Sequence, residues 1–291
     1  MHTIPTTRTS QELYTSIYQA ILPAIQDSRE CQAITQRLLA YAFNCDQAAI
    51  IGNKTLTLTP DTIQQLEASI KRIKQHEPIQ YIVGEAPFMG RDFQVTPAVL
   101  IPRPETEELV MAILQENKRP GLSVLDIGTG SGCIAITLKK AWPTAQVHAL
   151  DISQPALAIA AANANRWKAA INWLQVDILQ DVLPKKRWDI LVSNPPYVRF
   201  QEKKWMHQRV LDHEPSQALF VPDHNPRLFY TRIIMLATKH LKPAGKIYLE
   251  INEAFGNKIA QQLQVAGFEG IGIQQDMQGK DRWISASLPC A

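Results

Sequence analysis

Ser123-Val124-Leu125-Asp126-Ile127-Gly128-Thr129-Gly130-Ser131-Gly132 sets an apolar run directly before three alternate glycines. A short apolar run bounded by glycine predicts a buried strand, here Ser123 to Ile127. Glycine accepts the left-handed backbone of a tight turn and carries no Cβ. The turn can therefore lead straight into a helix, predicted from Gly132 to Ala141, while its backbone stays open to a ligand. The same texture recurs outward from this point. Strands are predicted at Val147 to Asp151, Ile171 to Val176, Asp189 to Ser193 and Lys246 to Ile251, with helices at Glu105 to Asn117, Pro155 to Trp167 and Arg227 to His240. Such alternation argues for an α/β fold with a mostly parallel sheet covered on both faces. A late pair, Gly270 to Ile273 and Trp283 to Ser287, is expected to close one edge. That makes seven strands, one of them antiparallel.

The spacing Gly128-x-Gly130-x-Gly132 is one residue shorter than the dinucleotide fingerprint Gly-x-Gly-x-x-Gly, which favours a smaller adenosyl ligand over a pyrophosphate. Asp151 ends the second strand, where a carboxylate can accept both hydroxyls of a ribose. Asp177 and Ile178 follow the third strand. Asp177 reads equally as an acceptor for an exocyclic adenine amine, with Ile178 packing on the ring, or as a turn-capping residue.

After the fourth strand comes Asn194-Pro195-Pro196-Tyr197. Proline lacks an N–H and fixes φ, and it pushes the preceding residue into extended geometry, so the pair makes a stiff turn whose carbonyls stay out of a helix. The Asn194 side-chain oxygen and the Pro195 carbonyl can then both accept from one planar NH2 group. Tyr197 adds a flat face suited to stacking on an amide or a base. The competing reading is a proline-rich turn that merely ends a buried strand. Glycine turn, strand-two acid, strand-three acid and Asn-Pro-Pro-Tyr all fall on the carboxyl edge of one sheet, the edge at which open α/β sheets bind ligands.

The first eighty or so residues read as a small helical bundle. Thr9 with Glu12, and Asp27 with Glu30, have capping-box spacing. Leu13, Ile17 and Ile21 form one apolar stripe and Ile34 and Leu38 another. A third helix opens at Thr59-Pro60, presents Ile63, Leu66, Ile70 and Ile73, and is ended by Pro78. From Tyr81 to Arg103 the pattern becomes that of a β-hairpin linker, with apolar Phe93, Val95 and Val99 between Gly84, Gly90 and prolines. The expected division is a helical bundle over residues 1–80, the linker over 81–103 and the α/β domain over 104–291.

Composition limits the function classes. At 291 residues, with 45% apolar and 20% charged residues, the chain has material for a sizeable core. A net charge of +3 is too small to indicate a nucleic-acid partner, although Lys185-Lys186-Arg187 and Lys203-Lys204 flank the Asn-Pro-Pro-Tyr loop. The four cysteines, Cys31, Cys45, Cys133 and Cys290, have neither metal-ligand nor disulfide-framework spacing, so no metal is expected. No leader or spanning segment is visible, which predicts a cytoplasmic protein away from membranes. A monomer is expected.

Taken together these residues resemble the bacterial release-factor glutamine methyltransferases of the HemK/PrmC type, which use S-adenosylmethionine. The resemblance runs from Pro78-Ile79-Gln80-Tyr81-Ile82 through Leu100-Ile101-Pro102-Arg103-Pro104-Glu105-Thr106-Glu107, the glycine turn, Asp151 and Asn194 to Tyr197, and on to Glu214-Pro215 and Ala218-Leu219. It implies a Rossmann-like methyltransferase domain. The implied substrate is the glutamine of the Gly-Gly-Gln motif in peptide chain release factors, which the N-terminal bundle would help to grip. Carried over by position, Gly128, Thr129, Gly130, Ser131, Gly132, Asp151, Ile178 and Asn194 would contact the cofactor, and Asp177, read from its place after the third strand, is counted with them. Asn194, Pro195, Pro196 and Tyr197 would hold the glutamine, with Asn194, Pro195 and Tyr197 closest to the chemistry. An aromatic residue can stand where this chain has Ile178, and the loop Arg199 to Pro226 has no clear counterpart.

Rival readings are methylation of a ribosomal-protein glutamine or of an exocyclic amine in DNA or RNA. The nucleic-acid version wants a basic face or an added module, and the acids and bases of the N-terminal region roughly balance. A nicotinamide dehydrogenase would want the longer glycine spacing. A non-catalytic adaptor would not need Asn194 to Tyr197.

Overall fold

The computed structural model describes residues 6–276 and 279–290. The chain forms two compact units. One comprises the residues up to Gly84 together with His207–His213, and the other runs from Glu85 to Met206 and on from Glu214.

The first unit contains β1 (Thr6–Thr9), α1 (Ser10–Ile25), α2 (Ser28–Ala42), α3 (Gln47–Ile51), β2 (Thr55–Leu58), α4 (Pro60–Lys74) and α5 (Ile79–Val83). The Thr9 capping box is complete: Glu12 N–H donates to Thr9 Oγ1 at 3.2 Å and Thr9 N–H donates to Glu12 Oε2 at 2.9 Å. The expected second box forms only by half. Asp27 accepts from Glu30 N–H at 2.7 Å, but the Glu30 carboxylate is taken by the Arg209 guanidinium. Leu13, Ile17, Ile21, Ile34, Leu38, Leu66 and Ile73 share one core. Ile63 does not join it and remains 40% exposed in the first turn of α4. Two features depart from expectation. β1 and β2 pair antiparallel, burying Leu56 and Leu58 from one face of the alternating Thr55–Leu58 run. Tyr81 and Ile82 lie in the short helix α5, begun at Pro78, rather than in the linker.

The linker is a tight hairpin of β3 (Glu85–Phe88) and β4 (Arg91–Gln94). Met89 and Gly90, at φ 49° and 71°, make a two-residue turn with left-handed backbone at both positions, the type that matches strand twist. Phe88 and Phe93 are buried and meet edge to face at 6.0 Å.

There follow α6 (Pro104–Glu116), β5 (Ser123–Ile127), α7 (Cys133–Ala141), β6 (Gln146–Asp151), α8 (Gln154–Trp167), β7 (Asn172–Gln175), β8 (Trp188–Ser193) and β9 (Val198–Arg199). A 3-10 turn over Phe200–Trp205 leads to α9 (Gln208–His213), the segment that belongs to the first unit. The chain then continues through α10 (Ser216–Leu219), β10 (Phe220–Val221), α11 (Leu228–His240), β11 (Leu241–Glu250), α12 (Gly256–Val265), β12 (Glu269–Gln275) and β13 (Asp281–Ser287). The expected strands and helices are present, most with ends shifted by a residue or two. β11 begins five residues early because Leu241 already pairs with Trp188, ahead of a register shift. Helix α12 carries only Ile259 and Leu263 as buried large apolar residues, too short a stripe to stand out in the sequence.

The sheet order is β12-β13-β11-β8-β5-β6-β7. Only β13 runs antiparallel to its neighbours, as expected. The order reverses between β5 and β8, which makes the carboxyl ends of these two strands a topological switch point where a crevice opens. Register fixes what meets there. Ile127 is opposite Ser193 on one side and Leu150 on the other, so the next residues, Gly128, Asn194 and Asp151, emerge side by side.

Candidate active site

A cavity of about 360 Å³ occupies the switch point, within the range of small-molecule sites, roughly 300–1,000 Å³. Its wall includes Gly128, Thr129, Gly130, Ser131, Asp151, Asp177, Ile178, Asn194, Pro195 and Pro196. Sequence reading nominated all ten. Two other nominees, Gly132 and Tyr197, lie outside the wall.

The glycine turn is held by its neighbours. Gly128 and Thr129 N–H both donate to the Leu150 carbonyl, at 2.9 and 3.0 Å, and Thr129 Oγ1 donates to Asp126 Oδ2 at 2.7 Å. Gly128, Gly130 and Gly132 have φ of 72°, 53° and 80°. A Cβ on Gly132 would stand 3.0 Å from Ile136 Cδ1 and 3.2 Å from Ala160 Cβ, so this glycine serves the packing of α7 on α8. A Cβ on Gly130 would meet nothing within 4 Å, and one on Gly128 would reach only the Asn194 carbonyl, at 4.0 Å. These two positions leave backbone bare toward the cavity. Burial, with the Asp151 charge adding to it, pushes Asp126 up to about 7 against the Thr129 hydrogen bond. Cys133, also in the wall, is pushed up to about 12 by burial, which makes it a poor nucleophile.

Asp151 accepts from Gly130 N–H through one carboxylate oxygen and from Ser153 N–H through the other, each at 2.9 Å. Each oxygen keeps further acceptor capacity. Burial raises its pKa, opposed by those backbone donors. Asp177 makes the expected turn, Oδ1 accepting from Leu179 N–H at 2.9 Å, and the residue lines the cavity. Ile178 is buried beside it.

At the other wall, Asn194 Nδ2 donates to Thr106 Oγ1 at 3.2 Å. Thr106 Oγ1 donates to Glu250 Oε2 at 2.6 Å, and Tyr197 OH donates to Glu250 Oε1 at 3.0 Å. Sequence reading gave Tyr197 a stacking face. The structure instead packs its ring against the core and turns its hydroxyl to Glu250, a buried acid at the end of β11 that needs donors. Burial raises the Glu250 pKa, opposed first by the Thr106 and Tyr197 hydrogen bonds.

Sequence reading assigned no role to Thr106, Glu250 or Arg103. Arg103 and Thr106 lie in the cavity wall, and the Arg103 guanidinium bonds Glu214 Oε1 at 2.5 Å while Glu214 Oε2 accepts from Ile101 N–H at 3.3 Å. Two signals could have found these residues: the polar cluster Arg103 to Glu107 squeezed between prolines and a helix, and a lone acid in the apolar run Ile247-Tyr248-Leu249-Glu250-Ile251.

Comparison with known proteins agrees with this geometry. The family model described as Methyltransferase small domain matches residues 105–219, and that described as PrmC N-terminal domain matches residues 20–84. A protein of Bacteroides thetaiotaomicron named release factor glutamine methyltransferase is 42% identical over 274 residues, covering 94% of this chain and 98% of its own. One of the same name from Flavobacterium psychrophilum is 40% identical over 279 residues, with the same coverage of 94% and 98%. In fold, the chain is similar to a crystal structure of a methyltransferase from Pyrococcus furiosus, with a TM-score of 0.52 and 20% identity over 77% of this chain and 98% of that one. Among the described residues no helix is long and apolar enough to cross a membrane. With relatives this similar along nearly their whole length, the chain belongs to the release factor glutamine methyltransferase family and is a methyltransferase.

Proposed function

We infer that the protein transfers a methyl group from S-adenosylmethionine to the side-chain amide nitrogen of the glutamine in the Gly-Gly-Gln motif of peptide chain release factors. The products are methylglutamine and S-adenosylhomocysteine. The observation that carries the reading is the shared cavity: the glycine turn and the Asn194–Pro196 loop are two walls of one space. The helical unit, whose residues 20–84 match the family's N-terminal domain, is assigned to gripping the protein substrate.

The residues fit such a cofactor. Bare backbone at Gly128 and Gly130 allows close approach, and the buried Ser131 lies in the same cavity wall. Asp151 would take the ribose hydroxyls, and Asp177 with Ile178 the adenine. When bound, S-adenosylmethionine supplies a methyl carbon made electrophilic by a sulfonium.

The chain's own residues do the rest by placement. An amide nitrogen is a weak nucleophile because its lone pair is delocalised into the carbonyl. With Nδ2 given to Thr106, Asn194 keeps Oδ1 as an acceptor, and the Pro195 carbonyl is a second. Together they can hold both protons of a substrate NH2 and set the direction of its lone pair. Such alignment can supply about 7–11 kcal/mol of a barrier. The nitrogen grows more positive as it attacks, so both acceptors bind the transition state more strongly than the ground state. No strong base is required, because the departing proton is acidic once the new bond has formed.

The test is methyl-labelled S-adenosylmethionine offered with release factors, with release factors lacking the motif glutamine, with ribosomal proteins, and with DNA and RNA. Label is expected on intact release factors and is lost with the glutamine. Label on nucleic acid or ribosomal protein alone overturns the reading.

A further inference from the structure

Glu250 is 3% exposed and accepts two hydroxyl protons, one from each end of a short relay. Thr106 gives its single hydroxyl proton to Glu250 Oε2, so toward Asn194 its oxygen can only accept. An asparagine beside an obligate acceptor must present its NH2 group, and Asn194 does so at 3.2 Å. Tyr197 gives its own proton to the other carboxylate oxygen. One buried acid thus ties down both ends of the Asn194-to-Tyr197 loop. Asn252 adds a brace from the next segment, its Nδ2 donating to the Tyr197 carbonyl at 3.3 Å.

We propose that Thr106 and Glu250 are positioning residues that fix the rotation of the Asn194 amide, so that its oxygen rather than its nitrogen is offered to the acceptor substrate, and that Tyr197 serves as an anchor of the loop. This rests on the reading of Asn194 as the group that receives the substrate NH2. Without the relay an asparagine amide can turn over by half a revolution at little cost in shape. Turned over, it presents a donor to a donor, and the substrate amide loses its fixed orientation. The proton order also explains why an acid lies at the end of a buried strand: a glutamine there would donate at one of its two contacts and reverse part of the relay.

The experiment measures turnover on release factor, cofactor affinity by calorimetry, thermal melting, and the side-chain amide signals of Asn194 by 15N–1H NMR, for wild type, Thr106→Val, Thr106→Ser and Glu250→Gln. Thr106→Val keeps the side-chain shape and removes the hydroxyl. It is expected to lower kcat at least tenfold, with cofactor affinity within about twofold of wild type, and to shift the Asn194 amide signals. Thr106→Ser restores the hydroxyl and is expected to recover most of the lost turnover and the wild-type signals. Glu250→Gln is expected to behave as Thr106→Val does. Full kcat in Thr106→Val, or Asn194 signals unchanged in both Thr106→Val and Glu250→Gln, overturns the proposal. The NMR arm needs no substrate. A wild type inactive on release factors, whose Asn194 signals nevertheless move in Thr106→Val and return in Thr106→Ser, supports the relay while the substrate reading falls.

Discussion

Asn163 Nδ2 donates to the Ser131 carbonyl at 2.9 Å, joining the middle of α8 to the glycine turn. The same fully buried amide pairs with the backbone of Gln94 in both directions, accepting from its N–H at 2.7 Å and donating to its carbonyl at 3.0 Å. A single side chain therefore locks hairpin, helix and turn together. Asn163→Ala removes the partner of three backbone groups, one of them on the buried Ser131. It is expected to destabilise the protein by about 1–3 kcal/mol and to weaken cofactor binding, on the order of tenfold. Chemical denaturation and calorimetry check the two effects.

The two walls of the cavity are expected to separate in kinetics. Asn194→Ala should remove most of the turnover while leaving cofactor affinity much less affected, because it deletes an acceptor that strengthens only as the nitrogen attacks. Asp151→Ala should chiefly weaken cofactor binding. Full activity in the Asn194 variant would sink the assignment of that residue.

Two glycines of the same turn give opposite signatures. Gly132→Ala meets Ile136 and Ala160 at 3.0 and 3.2 Å in addition to the left-handed strain at φ 80°, so it is expected to lower the melting temperature clearly. Gly130→Ala bears only the strain, roughly 1–2 kcal/mol. Its new methyl enters open space at the cavity wall, so the larger loss is expected in cofactor affinity, read by calorimetry.

Asp126 makes stability depend on pH with a defined sign. Its folded pKa of about 7 lies above the ordinary 3.8, so the stability it contributes is fully present below about pH 3.8 and is lost as pH rises through about 7. Asp126→Asn keeps an oxygen for Thr129 and removes the ionisation. The slope of unfolding free energy against pH across that window is expected to flatten in the variant, as measured by denaturant titration at several pH values.

Glu250 predicts an acid limb in activity. The groups facing it are Thr106 and Tyr197 as donors, Glu105 raising its pKa and Arg282 lowering it. Because burial lifts the pKa overall, turnover should begin to fall, as pH drops, earlier than an unperturbed carboxylate would dictate, with KM for the cofactor unchanged. A pH–kcat profile of wild type that shows no acid limb above the usual glutamate range would contradict this.

Much of the site was legible because the sheet edge is written in local signals. Glycines at 128 and 130, acids at 151 and 177 and the Asn194–Pro196 turn each announce themselves within a few residues, and strand register then brings them together. Thr106 and Glu250 were not legible as a pair, because they are 144 positions apart and nothing local says that a threonine in the first turn of α6 faces the end of β11. Tyr197 was misread for the same reason: an aromatic beside a proline turn looks like a stacking surface until its distant acid is known. In the first unit, the half-formed cap at Asp27 was hidden by a partner more than a hundred residues downstream, Arg209. The alternating Thr55–Leu58 run is too short to separate from a loop without β1 beside it.

The excursion of residues 207–213 into the helical unit means that the polypeptide passes between its two bodies three times. No single scission can divide them. A chain begun at Glu85 would keep α9 yet lose Glu30, to which Arg209 is paired, and Gln75, whose carbonyl lies 3.2 Å from His213 Nε2. That stranded stretch begins thirteen positions after Asn194, so amputating the front of the protein would leave it without its partners as well as remove the bundle.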